Sequence, residues 1–300
     1  MSYRGWIIYN GSLAGGKFID FAQWLQEAAT KLNCQTKIIK NNELFATFTT
    51  DELSILQTTN DVLPDFVIST DKDLYLARQF ELLGIPVFNS AKAIEVSDDK
   101  ILTHQYLAKH KIPTPKTIVA PKVYKNINPV NSNYMREIAK SLGYPLIIKE
   151  AFGSFGEQVY LIHNEQELND KIETIAGVPY FFQEFVKTSY GRDLRLQVVG
   201  DEVVAAMKRT AVDDFRANVT NGGTMQAYTP TEVEKNVAIQ ATHAIGADFA
   251  GVDLLYGKDD TPLVCEVNSN AHIHNLYDCT GINSADYILD YILNSLDKGV

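Results

Sequence analysis

"GVDLLYGKDDTPLVCEVNSN", residues 251–270, reads as two apolar strands on either side of a polar turn. Asp253 interrupts the first apolar run. Glu266 and Asn268 follow the second at alternate positions, which puts both on one face of a strand. Paired as a hairpin, the strands bring Asp253, Glu266 and Asn268 together at one end. Three hard oxygen donors suit Mg2+ or Mn2+ bridging phosphates and not zinc, which prefers nitrogen and sulfur. The competing reading is a solvated hairpin end, which the apolar residues on either side disfavour. His272 and His274 come next, in "AHIHN" (271–275). They lie too far along, and are too soft, for the same ion. As a pair they read either as an H-x-H zinc site or as one packed and one hydrogen-bonded imidazole.

Cations precede this hairpin. Residues 192–211, "RDLRLQVVGDEVVAAMKRTA", read as a second hairpin that turns at Gly200-Asp201 and carries Arg192, Arg195, Lys208 and Arg209. Arg216 follows in a polar stretch, 212–230. Arg192 and Lys208 need not share a strand face with Arg195 and Arg209. Arginines facing a metal–phosphate site stabilise developing negative charge, and any one of them alone reads equally as half of a surface ion pair.

Lys149 lies in "PLIIKEA" (145–151), a strand otherwise apolar. An ammonium there either snorkels to water from an edge strand or meets an anion. "GSFGEQV" (153–159) follows, and Gly153 and Gly156 let backbone N–H groups approach an anion closely. "FFQEFVK" (181–187) sets Glu184 among Phe181, Phe182, Phe185 and Val186. An apolar slot with one carboxylate suits adenine and ribose, and the same pattern fits an amphipathic edge strand.

Towards the N-terminus, "GWIIYN" (5–10), "QTKIIKNN" (35–42), "PDFVIST" (64–70) and "IPVFN" (85–89) read as strands. "KFIDFAQWLQEAATKL" (17–32) and "KDLYLARQFELLG" (72–84) read as helices, the second capped by Asp71. This alternation predicts a parallel sheet. The loop "NGSLAGGK" (10–17) matches no phosphate-loop spacing and is expected to line a cleft at the sheet's carboxyl edge. One helix, capped by Ser97 or Asp98, should end before Ile112-Pro113. Residues 121–134 read as a surface loop. Helices are expected over 134–143, 165–177, 232–246 and 283–299.

With 300 residues, 45% of them hydrophobic, the chain can bury a sizeable core in about two domains. A formal net charge of −10 argues against nucleic acid as a partner. Cys34, Cys265 and Cys279 lack C-x-x-C spacing and read as reduced thiols of a cytoplasmic protein. No run reaches the roughly 18 apolar residues of a membrane span.

Taken in order, "IPTPKT" (112–117), the strand lysine, "GSFGEQV", "QEFV" (183–186) and "GVDLL…CEVN" resemble the ATP-grasp superfamily. "QEFVKTSYGRDLRLQVVGDEVVAAMKR" (183–209) and "DFRANVTNGG" (214–223) are similar to its RimK-like amino-acid ligase branch, and the resemblance covers about residues 90–292. It implies an α/β fold, α+β in the ATP-binding part, with an N-terminal parallel-sheet domain over 1–90, a central subdomain over 91–188 and a C-terminal subdomain over 189–300. The implied activity is ATP-dependent amide formation between a carboxylate and an amine through an acyl phosphate. The amine is a glutamate-like amino acid, and the acid a small molecule, a peptide or a protein C-terminal tail. A non-catalytic ATP-binding module of the same fold is the alternative. ATP is the co-substrate, with two Mg2+ or Mn2+ ions, and the assembly a homo-oligomer, dimer or tetramer.

By the same resemblance Lys100 and Lys149 contact ATP, and Gly153, Ser154 and Gly156 close over the γ-phosphate. Gln183, Glu184, Phe185 and Val186 form the adenine hinge, with Asp193 near the ribose. Arg216 and Asn218 face the phosphates, Arg209 lies near the acyl phosphate, and Arg209, Arg195 and Arg216 are the catalytic arginines. Asp253, Glu266 and Asn268 hold the metal. Two departures lie on the acceptor side. The turn after "EVN" is "SNAHIHN" instead of Ser-Pro-Gly, and Lys208 stands where relatives often carry Glu. Lys208, Asn270, His272 and His274 are therefore the candidate substrate residues.

Overall fold

A computed structural model of the chain describes residues 3–13, 16–59, 61–124, 132–154, 156–217 and 223–299. Strands β1 (Arg4–Tyr9), β2 (Gln35–Lys40), β3 (Leu44–Phe48), β4 (Leu53–Gln57), β5 (Phe66–Ser69) and β6 (Val87–Phe88) open it, with helices α1 (Gly16–Lys31) and α2 (Leu74–Leu82) between them. Four of them form the expected parallel sheet, in the order β2-β1-β5-β6. Parallel strands need cover on both faces. Ile7, Phe66 and Ile68 pack against Phe21 and Leu25 of α1, while Trp6, Ile8 and Val67 pack with Leu76 and Phe80 of α2. Each large side chain so buried contributes about 1.5–3 kcal/mol. The strand order reverses between β1 and β5, so a crevice opens beyond their carboxyl ends. The antiparallel β3–β4 hairpin has no counterpart in the sequence reading. The Gln79 amide of α2 holds it, donating to the Thr47 and Ser54 carbonyls at 3.0 Å each.

The single helix expected near residue 100 is two, α3 (Ala91–Asp98) and α4 (Lys100–Lys109). Asp99 between them is extended, and its carboxylate accepts from the Ile101 and Leu102 N–H groups at 2.8 and 3.2 Å. Ser97 and Asp98 lie inside α3, which Ser90 caps. Likewise Asp73, not Asp71, caps α2. Where cap-type residues stand in a row, the side chain that reaches free N–H groups starts the helix.

The middle of the chain supplies β7 (Thr117–Val119), α5 (Ser132–Leu142), β8 (Leu146–Glu150), β9 (Val159–Ile162), α6 (Glu165–Thr174) and β10 (Tyr180–Glu184). Their antiparallel sheet runs β7-β10-β8-β9. Ile148 and Phe182 pack on α5 and α6. Lys149, opposite Phe181, belongs with Gln183 on the other face.

The last part comprises β11 (Arg192–Val199), β12 (Glu202–Thr210), β13 (Thr224–Ala227), α7 (Glu232–Ala244), β14 (Phe249–Tyr256), β15 (Pro262–Asn268), α8 (His274–Thr280) and α9 (Ser284–Asp297). The third sheet is antiparallel, β13-β12-β11-β14-β15. Leu194, Leu196, Val252 and Leu254 pack one face against α7. Ile288, Leu289 and Ile292 of α9 fold back into the core around α1. No described helix is long and apolar enough to cross a membrane.

Candidate active site

In the β14–β15 hairpin Asp253 pairs with Glu266 and Gly251 with Asn268, so the three expected oxygen donors share one face at the strand ends. Leu254 pairs with Val264, which leaves Cys265 as the extra residue of a bulge. Gly251 is needed here: a Cβ at that position would lie 2.4 Å from that of Ala271, where the chain turns back after β15.

Asp253 is held by arginines. Arg195 grips both its oxygens, with Nη2 2.8 Å from Oδ2, and Arg209 Nη2 lies 2.9 Å from the same oxygen. Arg209 also forks onto Asp193, with both bonds at 2.7 Å. Burial raises the pKa of Asp253, but Arg195 and Arg209 outweigh it and bring the carboxyl down to about 2. At Asp193 burial wins and the carboxyl is raised, with Arg209 opposing. Burial also works against the charge of Arg209, and Asp253 and Asp193 more than offset it. Two carboxylates and two guanidiniums form a formally neutral unit in which Asp193, Arg209 and Asp253 are buried and Arg195 is partly exposed. Both Asp193 oxygens, expected near a ribose, accept from Arg209. Lys208 pairs with Leu194, on the face turned to α7, and so does not join this group. Arg192 stacks on Tyr256 with its guanidinium carbon 4.3 Å from the ring centre.

Lys100 links β15 to the glycine loop. Its Nζ lies 3.5 Å from Glu266 Oε1 and donates to the Gly153 carbonyl at 2.7 Å. Arg216, forked on Asp214, donates to the Gly156 carbonyl at 2.6 Å. Gly153 has φ 134°, and a Cβ there would lie 2.2 Å from Gln158 Oε1. The Ser154 carbonyl accepts from the Glu157 N–H at 3.3 Å. Asn218 lies outside the described residues.

Lys149 is only 7% exposed, and its Nζ meets the Cys265 thiol at 3.5 Å. Among the described residues it forms no ion pair with a carboxylate. A buried ammonium with one weak acceptor is costly, and an anionic ligand would satisfy it. Near it lies His104, which sequence reading passed over. Its Nδ1 is 2.7 Å from Thr114 Oγ1, which donates to the Val264 carbonyl at 3.1 Å; its Nε2 lies 3.2 Å from Gln183 Nε2. Since the Thr114 hydroxyl gives its proton to Val264 and Gln183 supplies an amide donor, the ring is neutral with its proton on Nδ1. Burial, with Lys149 and Lys100 adding, pushes its pKa down to about 3. Glu184 accepts from the Lys116 N–H at 2.8 Å. Phe185 meets the edges of Tyr190 and Phe215, both at 6.3 Å, and Val186 leads into the turn after β10.

Asn89 was also missed. It is fully buried, accepts from the Asp248 and Phe249 N–H groups at 2.6 and 3.2 Å, and donates to the Phe249 and Ser269 carbonyls at 2.9 Å each. Ser97 donates to the Ser269 hydroxyl at 2.8 Å. Ser269 sits between Asn268 and Asn270, so these bonds fix the strand end that carries them. The carboxamide atoms of Asn270 are buried with no partner among the described residues. His272 is half-buried in the turn. His274 is 2.8 Å from Asp20 of α1 and 5.4 Å from the Trp24 ring, so it ties α8 to the N-terminal layer. The hydrogen bond to Asp20 raises its pKa.

The oxygen donors of Asp253, Glu266 and Asn268 fit Mg2+ or Mn2+ by chemistry and register. The Glu266 side chain is 31% exposed and approachable, whereas Asp253 would have to share its oxygens with Arg195 or release it.

Residues 97–292 match the RimK-like ATP-grasp domain family. The chain is 36% identical over 238 residues to a "Probable alpha-L-glutamate ligase" of Trichodesmium erythraeum, a match covering 77% of each. It is 33% identical over 231 residues to "Beta-citrylglutamate synthase B" of Danio rerio, covering 76% of this chain and 56% of that longer protein. In fold it is similar to a RimK domain ATP-grasp protein from Sphaerobacter thermophilus, with TM-score 0.71 at 18% identity, covering 96% of this chain and 98% of that one.

Proposed function

The chain belongs to the RimK-like ATP-grasp family, and on that premise we propose that it is an ATP-dependent carboxylate–amine ligase acting through an acyl phosphate. The observation that carries this reading is Lys149: a buried ammonium on β8, with no carboxylate partner among the described residues, set against β15. ATP would lie between the two antiparallel sheets, its adenine against Glu184–Val186. Its phosphates would meet Lys149, Lys100, Arg216 and Asn218, with the loop Gly153–Ser154–Gly156 closing over them. Glu266, Asn268 and Asp253 would hold Mg2+ or Mn2+, which supplies neutralisation of phosphate charge.

A carboxylate oxygen attacks the γ-phosphorus and ADP leaves. The amine nitrogen then attacks the acyl carbon, phosphate leaves, and the amine's proton is lost. Arg195 and Arg209, gathered at Asp253, would stabilise the developing oxyanion, so positioning and electrostatics would do the work without a side-chain nucleophile. The relatives' names support an amino acid such as glutamate as the amine, added to a small acid, a peptide or a protein tail. The test is phosphate release from ATP and Mg2+ with pooled free amino acids, then with an added protein fraction. Release with the pool alone means small-molecule synthesis, and release only with the fraction means protein modification. No release under either condition sinks the ligase reading.

A further inference from the structure

The β3–β4 hairpin is a sheet of two strands, and among the described residues neither outer edge has a strand partner. Strand alternation gives it two faces. Leu44 and Ile55 turn inwards and pack in the core with Leu76 and Phe80 of α2. Phe45 and Leu56 stand opposite each other on the outer face, 48% and 62% exposed. Phe48 and Leu53, also opposite each other, belong to the inner face yet are 71% and 41% exposed. The hairpin therefore runs past its support, and its tip overhangs with an apolar pair uncovered.

Area and charge say what covers it. These four side chains leave roughly 400 Å2 of mostly apolar surface in water on one small hairpin. An interface of standard size buries about 800 Å2 per chain, about two-thirds of it apolar when the chains are identical. The hairpin thus supplies most of the apolar area that one side of such an interface needs. Neither strand, "LFATF" (44–48) or "LSILQ" (53–57), carries a charge or a proline, and their pairing has no bulge. Those are the devices that keep free strand edges apart. The whole chain carries a formal charge of −10, so two copies repel and meet most easily where both are neutral. A basic partner would instead be drawn to acidic surface.

We propose that two copies of this chain join hairpin to hairpin about a two-fold axis, their strands continuing one antiparallel sheet. A two-fold contact uses the same patch on both chains. Antiparallel pairing sets the tip of each hairpin beside the base of the other, so the overhanging Phe48 and Leu53 come against the supported end of the second copy. Lys149 and Glu266 belong to other sheets, and the pairing does not rest on the ligase reading.

The test is sedimentation velocity of the full chain at micromolar concentration. The unaltered chain should sediment as a dimer. Phe45→Lys with Leu56→Lys, and Phe45→Glu with Leu56→Glu, should each sediment as a monomer, because like charges then face each other across the axis. Both positions are exposed, so circular dichroism should not change. An equimolar mixture of the two variants should regain the dimer, since opposite charges now meet. Regain on mixing does not arise from misfolding, and it requires that hairpin face hairpin. A monomeric unaltered chain, a dimer that withstands both variants, or a mixture that stays monomeric overturns the proposal.

Discussion

Lys149 of β8 and Cys265 of β15 join the two antiparallel sheets, the ammonium donating to the thiol at 3.5 Å. A thiol is a poor match for a buried cation. Lys149→Met should therefore keep the fold, with stability unchanged or higher by about 1–3 kcal/mol, because an apolar chain of similar volume replaces a poorly matched charge. ATP affinity should fall by about 30-fold or more, since the phosphates lose their buried partner. Thermal unfolding and nucleotide titration of the same variant read both. Unchanged ATP affinity would remove Lys149 from the site.

His104 predicts a pH effect of defined sign. Its folded pKa, about 3, lies below the ordinary 6.5, so between these values the unfolded chain binds the extra proton. Stability from this group is complete above pH 6.5 and is lost as pH falls towards 3. At pH 5 the loss is roughly 2 kcal/mol. His104→Gln should flatten the difference between pH 7 and pH 5 by about that amount, measured by urea unfolding. An equally steep profile in the variant would mean that the imidazole is charged in the folded state.

Asn89 satisfies four backbone groups with one side chain. Asn89→Ala strands them and should cost about 3 kcal/mol or more. Because Asn89 and Ser97 hold Ser269, next to Asn268, the Mg2+ concentration for half-maximal turnover should rise severalfold. Metal-free ATP binding should stay the same. A purely structural Asn89 would lower stability and leave the metal dependence untouched.

Arg209 is buried between Asp193 and Asp253. Arg209→Ala leaves both carboxylates short of a counter-charge and should destabilise by about 3–5 kcal/mol. Arg209→Met with Asp193→Asn should recover most of that stability. If Arg209 also acts on the acyl phosphate, ligation stays lost in the double variant. Recovery of ligation along with stability would leave it a structural role alone.

The β14–β15 hairpin was legible because it is local: strand alternation put Glu266 and Asn268 on one face, and the short turn put Asp253 opposite. The parallel sheet was legible from apolar runs between helical periods. Asn89 and His104 were not, since their partners lie far along the chain, at Ser269 and Gln183, and no spacing announces them. The Asp193–Arg209 pair was missed for a related reason. It depends on the pairing of β11 with β12, which sets the two directly opposite. The β3–β4 hairpin carries exposed Phe45 and Leu56, so its polar–apolar alternation is weak.

The most direct measurement follows oxygen. The chain is incubated with ATP, Mg2+ and a pool of acids and amino acids whose carboxylates carry 18O, and phosphate and products are read by mass spectrometry. Ligation through an acyl phosphate predicts one 18O in the phosphate for each amide formed, with ADP as the nucleotide product. Phosphate free of 18O, or AMP and pyrophosphate in place of ADP, would contradict it.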